Sequence, residues 1–130
     1  MIVLDASVVV ELLTNGRWAD ALRRDLAASN DSLIVPHLLD VEVPSALRRL
    51  VAGQRIDSHR IKQLLAELAM LPAERYPHTP LLTRIWELRH NFTCYDAAYV
   101  ALAEATGAVL YTCDAKLSKG HRARVMVFAD

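Results

Sequence analysis

The stretch Met1-Ile2-Val3-Leu4-Asp5-Ala6-Ser7 sets an unbroken apolar run directly against an aspartate and a serine. Ile2 to Asp5 is too apolar to alternate between a wet and a dry face and too short for a helix, so it reads as a strand buried on both faces. Strands of that kind belong to parallel sheets covered by helices, and such sheets bind ligands at the carboxyl ends of their strands. The pattern recurs at Ala108-Val109-Leu110-Tyr111-Thr112-Cys113-Asp114, where a second apolar run ends near an aspartate. Two further acids take helical positions: Glu42 between Val41 and Val43, and Asp96 ahead of the apolar stretch Ala97 to Ala105. Acids far apart in the chain can thus converge on one sheet edge. Two unit negative charges about 4 Å apart repel by roughly 4 kcal/mol at an effective dielectric near 20, so such a cluster holds protons or binds a cation. A hard cation that seeks oxygen, Mg²⁺ or Mn²⁺, fits best.

Outward from these strands the chain alternates helical and extended segments. Ser7 is the expected N-cap of a helix through Leu13, stopped by Thr14-Asn15-Gly16. Trp18 to Ala28 places Trp18, Leu22 and Leu26 on one helical face, and Ser29-Asn30-Asp31 makes a turn. Leu33-Ile34-Val35 is a second strand closed by Pro36, followed by a helix carrying Glu42 to about Ala52, with Gly53 as its stop. Ile56 to Leu71 reads as one long amphipathic helix ended by Pro72. A helix led in by Pro77, Thr79 and Pro80 carries Leu81, Leu82, Ile85, Trp86 and Leu88 and ends at His90-Asn91. Asp96 to Thr106 is the next helix, Gly107 its stop, Val109 to Thr112 the following strand and Val125 to Phe128 the last. The expectation is a single α/β domain over residues 1–130, a three-layer fold with a small, mainly parallel sheet of four or five strands flanked by helices.

Composition agrees with a globular domain: 53% hydrophobic and 23% charged residues exclude a disordered tail or a coiled coil. The first apolar run is broken by Asp5 and Glu11, lacks a basic leader and falls short of the ~20 residues a spanning helix needs, so the expectation is a cytoplasmic protein with no membrane partner. Cys94 and Cys113 are too few for a disulfide framework and read as buried thiols. The net charge of zero hides an asymmetry: without the four candidate acids, 11 acidic residues face 15 basic ones, about +4 outside the pocket. A basic run after Asp114, Lys116, Lys119, His121, Arg122 and Arg124, offers contacts to a nucleic-acid backbone or, equally, a solvated loop.

Read singly, each acid has an ordinary explanation. Asp5 and Asp114 can cap helices or turns, and Asp96 can complement a helix dipole. Glu42 would pair with Arg48 or Arg49, yet neither stands at the i+3 or i+4 spacing that a helical pair requires. Taken in order, Val3-Leu4-Asp5-Ala6-Ser7, Glu42-Val43 ahead of Ala46-Leu47-Arg48-Arg49, Tyr95-Asp96-Ala97-Ala98-Tyr99 and Thr112-Cys113-Asp114 before Leu117 resemble the PIN-domain nucleases, specifically the VapC-type toxins of bacterial toxin-antitoxin pairs. The resemblance covers nearly the whole chain. It implies a PIN fold, an acidic site of Asp5, Glu42, Asp96 and Asp114, and Mg²⁺- or Mn²⁺-dependent endonuclease action on RNA. Asp5 and Asp96 match the principal metal ligands, and Thr112 matches a polar position that supports the site, as Ser7 does through its hydroxyl. It also implies a homodimer neutralised by a small antitoxin whose peptide lies along the helices after Gly53 and blocks the pocket. The one departure is Pro44, which requires the helix carrying Glu42 to begin late or kink.

No histidine is placed as a general base and no serine–histidine pair suggests a covalent intermediate, which leaves metal-assisted phosphodiester hydrolysis giving 5′-phosphate and 3′-hydroxyl ends. The rival readings are a catalytically silent PIN domain that binds RNA or protein, an Asp-nucleophile phosphatase, which wants an aspartate where this chain has Ser7, and a receiver-type phosphoacceptor domain, which wants paired acids and a late lysine.

Overall fold

Five short strands form one all-parallel sheet in the order β3-β2-β1-β4-β5: β1 Ile2–Leu4, β2 Leu33–Pro36, β3 Ala73–Tyr76, β4 Val109–Thr112 and β5 Arg124–Val127. The computed structural model of the chain describes all residues from Met1 to Asp130. Ile2, Val3 and Leu4 are fully buried at the centre of the sheet, as a strand covered on both faces requires. Strand order runs one way from β1 through β2 to β3 and the other way from β1 through β4 to β5. The carboxyl ends of β1 and β4 therefore flank the switch point where open α/β sheets form their ligand crevice.

Six helices flank the sheet: α1 Ala6–Leu13, α2 Ala19–Ser29, α3 Leu39–Ala52, α4 Ile61–Ala69, α5 Leu82–Glu87 and α6 Cys94–Thr106. Helix α6 buries seven consecutive residues, Ala97 to Ala103, and packs on β1, β2 and β4 with α5 against it. A helix apolar on every side belongs inside a fold, and its alanines let it approach the sheet closely. Its ends obey local chemistry: Thr93 caps the start by accepting from the Asp96 N–H at 3.1 Å, and Gly107 takes the left-handed φ of 71° that closes it. No helix is long and apolar enough to cross a membrane.

Several boundaries differ from the sequence reading. The first helix is capped by Asp5, whose carboxylate accepts from Val8 N–H, and not by Ser7. The helix carrying Glu42 does not start late: α3 runs unbroken through Pro44, after a first turn tightened by N–H groups of Val41 and Glu42 that share the Leu38 carbonyl. It ends at Gly53 as expected, although the left-handed residue there is Gln54. The segment Ile56 to Leu71 is not one helix. Asp57 caps a 3₁₀ turn at Ser58–Arg60, and α4 follows. The segment after Pro77 is a 3₁₀ turn, Thr79–Leu81, leading into the short α5. Strand β3 is absent from the sequence reading because Ala-Glu-Arg-Tyr between two prolines shows no apolar run. It is an edge strand, and polar edges are common in natural sheets. Arg75 secures it, with two bonds to Asp40 and three to the carbonyls of Leu68, Leu71 and Ala73.

Candidate active site

Asp5 leaves β1 at the sheet's carboxyl edge and is 5% exposed. Its Oδ1 accepts from Ser7 Oγ at 2.6 Å and from Val8 N–H at 3.0 Å, and its Oδ2 accepts from Thr112 Oγ1. Each hydroxyl is in turn fixed by the backbone beyond β4: Cys113 N–H donates to Ser7 Oγ and Asp114 N–H to Thr112 Oγ1, both at 2.9 Å. Two parallel relays thus stitch the ends of β1 and β4 together and lock the Asp5 carboxylate in one orientation. Burial raises the Asp5 carboxyl to about 6, against the pull of the Ser7, Thr112 and Val8 bonds, and the charge of Asp96 adds to the rise.

The other three acids face this point from separate elements. Glu42 stands in the first turn of α3 and Asp96 in the first turn of α6. Asp114 follows β4, where its carboxylate accepts from Lys116 N–H at 3.0 Å and caps a 3₁₀ turn. Burial first, and then Asp114, lifts the Asp96 carboxyl above its ordinary range; burial is also the main cause of the rise at Glu42, and Asp96 contributes to it. The acids therefore sense one another across the sheet edge. No three acidic, histidine or cysteine side chains are gathered tightly enough to hold a metal ion between them. Asp5 is fixed, whereas Glu42, Asp96 and Asp114 are only half-buried.

Helix α6 brings one residue that the sequence reading passed over. The Tyr99 hydroxyl is buried, faces the Glu42 carboxylate and has no hydrogen-bond partner at normal geometry. Burial and the neighbouring Glu42 push its phenol far above the ordinary value, so it remains a protonated donor. The signal was available: Tyr99 is three residues after Asp96, on the same helical face.

The basic run after Asp114 divides. Lys116 lies close enough for its charge to pull the Asp96 carboxyl down. Lys119 is exposed and forms no ion pair. His121 belongs to its own loop, with Nδ1 accepting from Ala123 N–H and Nε2 left to donate to Leu117 O at 2.6 Å. Arg122 and Arg124 are separated from the acids. Arg124 pairs in register with Val109 at the start of β4, so the length of that strand, about 13 Å, lies between it and the acidic edge. Arg122 N–H donates to Glu104 in the last turns of α6, and Arg124 reaches the Gly107 carbonyl. These two arginines follow Asp114 closely in sequence, but the chain crosses from one edge of the sheet to the other between them. The cysteines also differ from expectation: Cys94 is exposed, and Cys113 is half-buried, with its thiol pushed up to about 11 mainly by burial.

A cleft opens beside the acids between α1 and α3, with a volume of about 580 Å³. Ser7, Glu42 and Cys113 line it together with Glu11, Arg49 and Arg55.

The pattern of the PIN domain family matches residues 2–122. The chain is 44% identical to Ribonuclease VapC9 of Mycobacterium tuberculosis (strain H37Rv) over 118 residues, 91% of this chain and 89% of that protein. It is 40% identical to Ribonuclease VapC12 of the same strain over 131 residues, 99% of this chain and all of that one. Among solved structures it is similar to a toxin-antitoxin complex from Klebsiella pneumoniae, at 17% identity, a TM-score of 0.70 and full coverage of both chains, a likeness of fold.

Proposed function

The chain belongs to the PIN domain family, and we propose that it is an endoribonuclease of the toxin class, acting through Asp5, Glu42, Asp96 and Asp114. The observation that carries this reading is their convergence: four elements bring four carboxylates to the switch point of the sheet, where burial and mutual repulsion hold Asp5, Glu42 and Asp96 above the usual carboxylate range. A phosphodiester is itself an anion, so these charges must be neutralised before a substrate can approach. The donors are all oxygen, which suits the hard cations Mg²⁺ and Mn²⁺ better than a softer metal. Asp5 is the preset ligand, and the half-buried side chains of Glu42, Asp96 and Asp114 have the freedom to turn toward it. When bound, the cation supplies a water of lowered pKa and positive charge for the leaving oxygen. Ser7 and Thr112 hold Asp5 deprotonated and oriented, and the Tyr99 phenol supports Glu42 once that side chain turns inward. Hydrolysis leaves 5′-phosphate and 3′-hydroxyl ends and does not use the ribose 2′-hydroxyl, so preference for RNA belongs to groups that grip the strand.

The toxin class carries a partner with it. Curated relatives are VapC ribonucleases and one fold neighbour is a toxin-antitoxin complex, and this chain is neutralised by a small cognate antitoxin. A surface for protein contact is present: α3 and α4 leave an apolar groove between Pro44, Leu47, Val51, Ile61 and Leu65, and Leu82 and Trp86 are exposed on α5. We place the antitoxin peptide and the contact between two copies on these helices, and the protein in the cytoplasm.

The test is cleavage of a mixed RNA pool by purified protein with Mg²⁺, with Mn²⁺ and with EDTA, alongside Asp5→Asn and Asp96→Asn. Cutting that needs the metal, leaves 5′-phosphate ends and is lost in both variants supports the nuclease. A folded wild type that cuts nothing under any metal, while both variants bind RNA as it does, supports the silent binding module instead.

A further inference from the structure

Six of the twelve arginines are engaged by an acid or by the Trp86 ring, and of the others Arg24, Arg48 and Arg60 lie away from the cleft beside the acids. Arg17, Arg23, Arg75, Arg84 and Arg122 are ion-paired, and Arg89 lies over the Trp86 ring. Arg49 and Arg55 are different. Both are exposed, neither is ion-paired, and both line the cleft that runs from the acids between α1 and α3. Arg49 has only a bond to Ser45 Oγ one turn earlier. Arg55 is brought there by the backbone: Gln54 takes a left-handed φ of 58°, and Arg55 N–H donates back to Leu50 O at 2.9 Å, folding the chain over the end of α3. Val10, Ala46 and Leu50 give the cleft apolar walls, and its second carboxylate, Glu11, is engaged by the backbone, its Oε2 accepting from Trp18 N–H at 2.7 Å.

From this arrangement we infer that the α1–α3 cleft is a nucleotide subsite, in which Arg49 and Arg55 hold a backbone phosphate of single-stranded RNA next to the one being cut and the apolar wall receives its nucleoside. The inference rests on the ribonuclease reading. Charge complementarity selects the occupant. An anion brought to the acidic edge needs positive charge close by, and these are two unpaired guanidinium forks at the cleft that opens on Glu42. The cleft's volume, about 580 Å³, lies in the range that takes a small ligand, and its mixed walls suit a group with one apolar and one anionic part. A duplex could not enter, because paired bases cannot be splayed into a pocket.

The experiment measures binding and cleavage separately. Binding of a short fluorescent single-stranded RNA is followed by anisotropy in EDTA from low to moderate salt, for wild type, Arg49→Gln, Arg55→Gln and the double variant, with Arg124→Gln as the control at the opposite edge. Thermal melts establish that each variant is folded. The double variant is expected to make the slope of log K against log[salt] shallower by about 0.7, the increment for one phosphate contact on a single strand, and each single cleft substitution by part of that. Each is also expected to raise KM for RNA cleavage about fivefold to tenfold, and Arg124→Gln is expected to leave the slope unchanged. Folded double-variant protein with the wild-type slope and KM, in a preparation whose wild type cleaves RNA, overturns the subsite alone. A wild type that binds RNA through these arginines but cleaves none overturns the nuclease reading and leaves the subsite standing.

Discussion

Asp5 shows how a buried carboxylate can oppose the stability of its own fold. Its carboxyl is raised by burial from 3.8 to about 6. Between those two values the folded chain keeps a proton that the unfolded chain has lost, so stability falls as pH rises through this window, by about 3 kcal/mol in all. Glu42 and Asp96 shift in the same direction and add to the fall. Asp5→Asn keeps the shape without the charge. It is expected to melt several degrees higher than wild type in chelator at pH 7.5, to lose the Asp5 share of the decline between pH 4 and 6, and to cleave RNA at least on the order of 100-fold more slowly. A variant that melts lower than wild type under those conditions contradicts the account of Asp5 as a costly buried charge. Thr112→Val tests the relay. It strips Asp5 Oδ2 of its donor and leaves the Asp114 N–H unpaired, with an expected loss of about 1–3 kcal/mol. Losing a bond that favours the carboxylate raises Asp5 further, so the rise of activity with pH moves upward, and Thr112→Ser restores both properties. Equal melting temperatures for the valine and serine variants would remove the relay from the argument.

At the scale of elements, the acids are aimed by the starts of helices. Asp96 reaches the site because Thr93 fixes where α6 begins, one turn before the buried alanines. Thr93→Ala is expected to lower stability by about 1 kcal/mol, a shift of a few degrees in Tm, and to weaken Mn²⁺ binding measured by calorimetry, whereas Thr93→Asp retains the cap. Unchanged Tm and metal affinity in the alanine variant would show that α6 is positioned by packing alone. Most of this level is legible in the sequence. The buried strands β1 and β4, the left-handed stops at Asn15, Asn30 and Gly107, and the apolar run of α6 follow from local chemistry. What is not legible is β3, whose four residues carry no apolar pattern and become a strand only when β2 presents a free edge and Arg75 finds Asp40. Pro44 likewise reads as a late start or a kink, yet α3 is already helical before it and continues through it, with buried Val43 and Leu47 holding the helix on both sides of the missing N–H.

Across the whole molecule, chemistry and bracing occupy opposite edges of the sheet. Glu104, in the last turns of α6, binds Arg84 of α5 through both oxygens at 2.7 and 3.0 Å and accepts from Arg122 N–H ahead of β5. It is eight residues from Asp96, about 12 Å along the helix. Its carboxyl is held below the ordinary range chiefly by Arg84, so its contribution is present above the unfolded value and is lost as pH falls through the lowered one. Glu104→Gln is therefore expected to lower Tm at neutral pH and to lose that difference in acid, with kcat and KM for RNA within about twofold of wild type. A large loss of cleavage in a folded Glu104→Gln protein would mean that the two edges are coupled.

The sequence by itself determined the fold class and singled out Asp5, Asp96 and Asp114 as candidates, because each is written in a local pattern, an apolar run ending near an acid or an acid opening an apolar helix, whereas the site roles of Glu42, Ser7 and Thr112 came with the family resemblance. Only the tertiary structure decided which cations stand with those acids. Arg122 and Arg124 follow Asp114 closely in the chain and lie across the sheet from it, whereas Arg49 and Arg55, more than fifty residues earlier, share its edge. Position on a sheet depends on strand direction and crossover, and nearness along the chain carries no information about either.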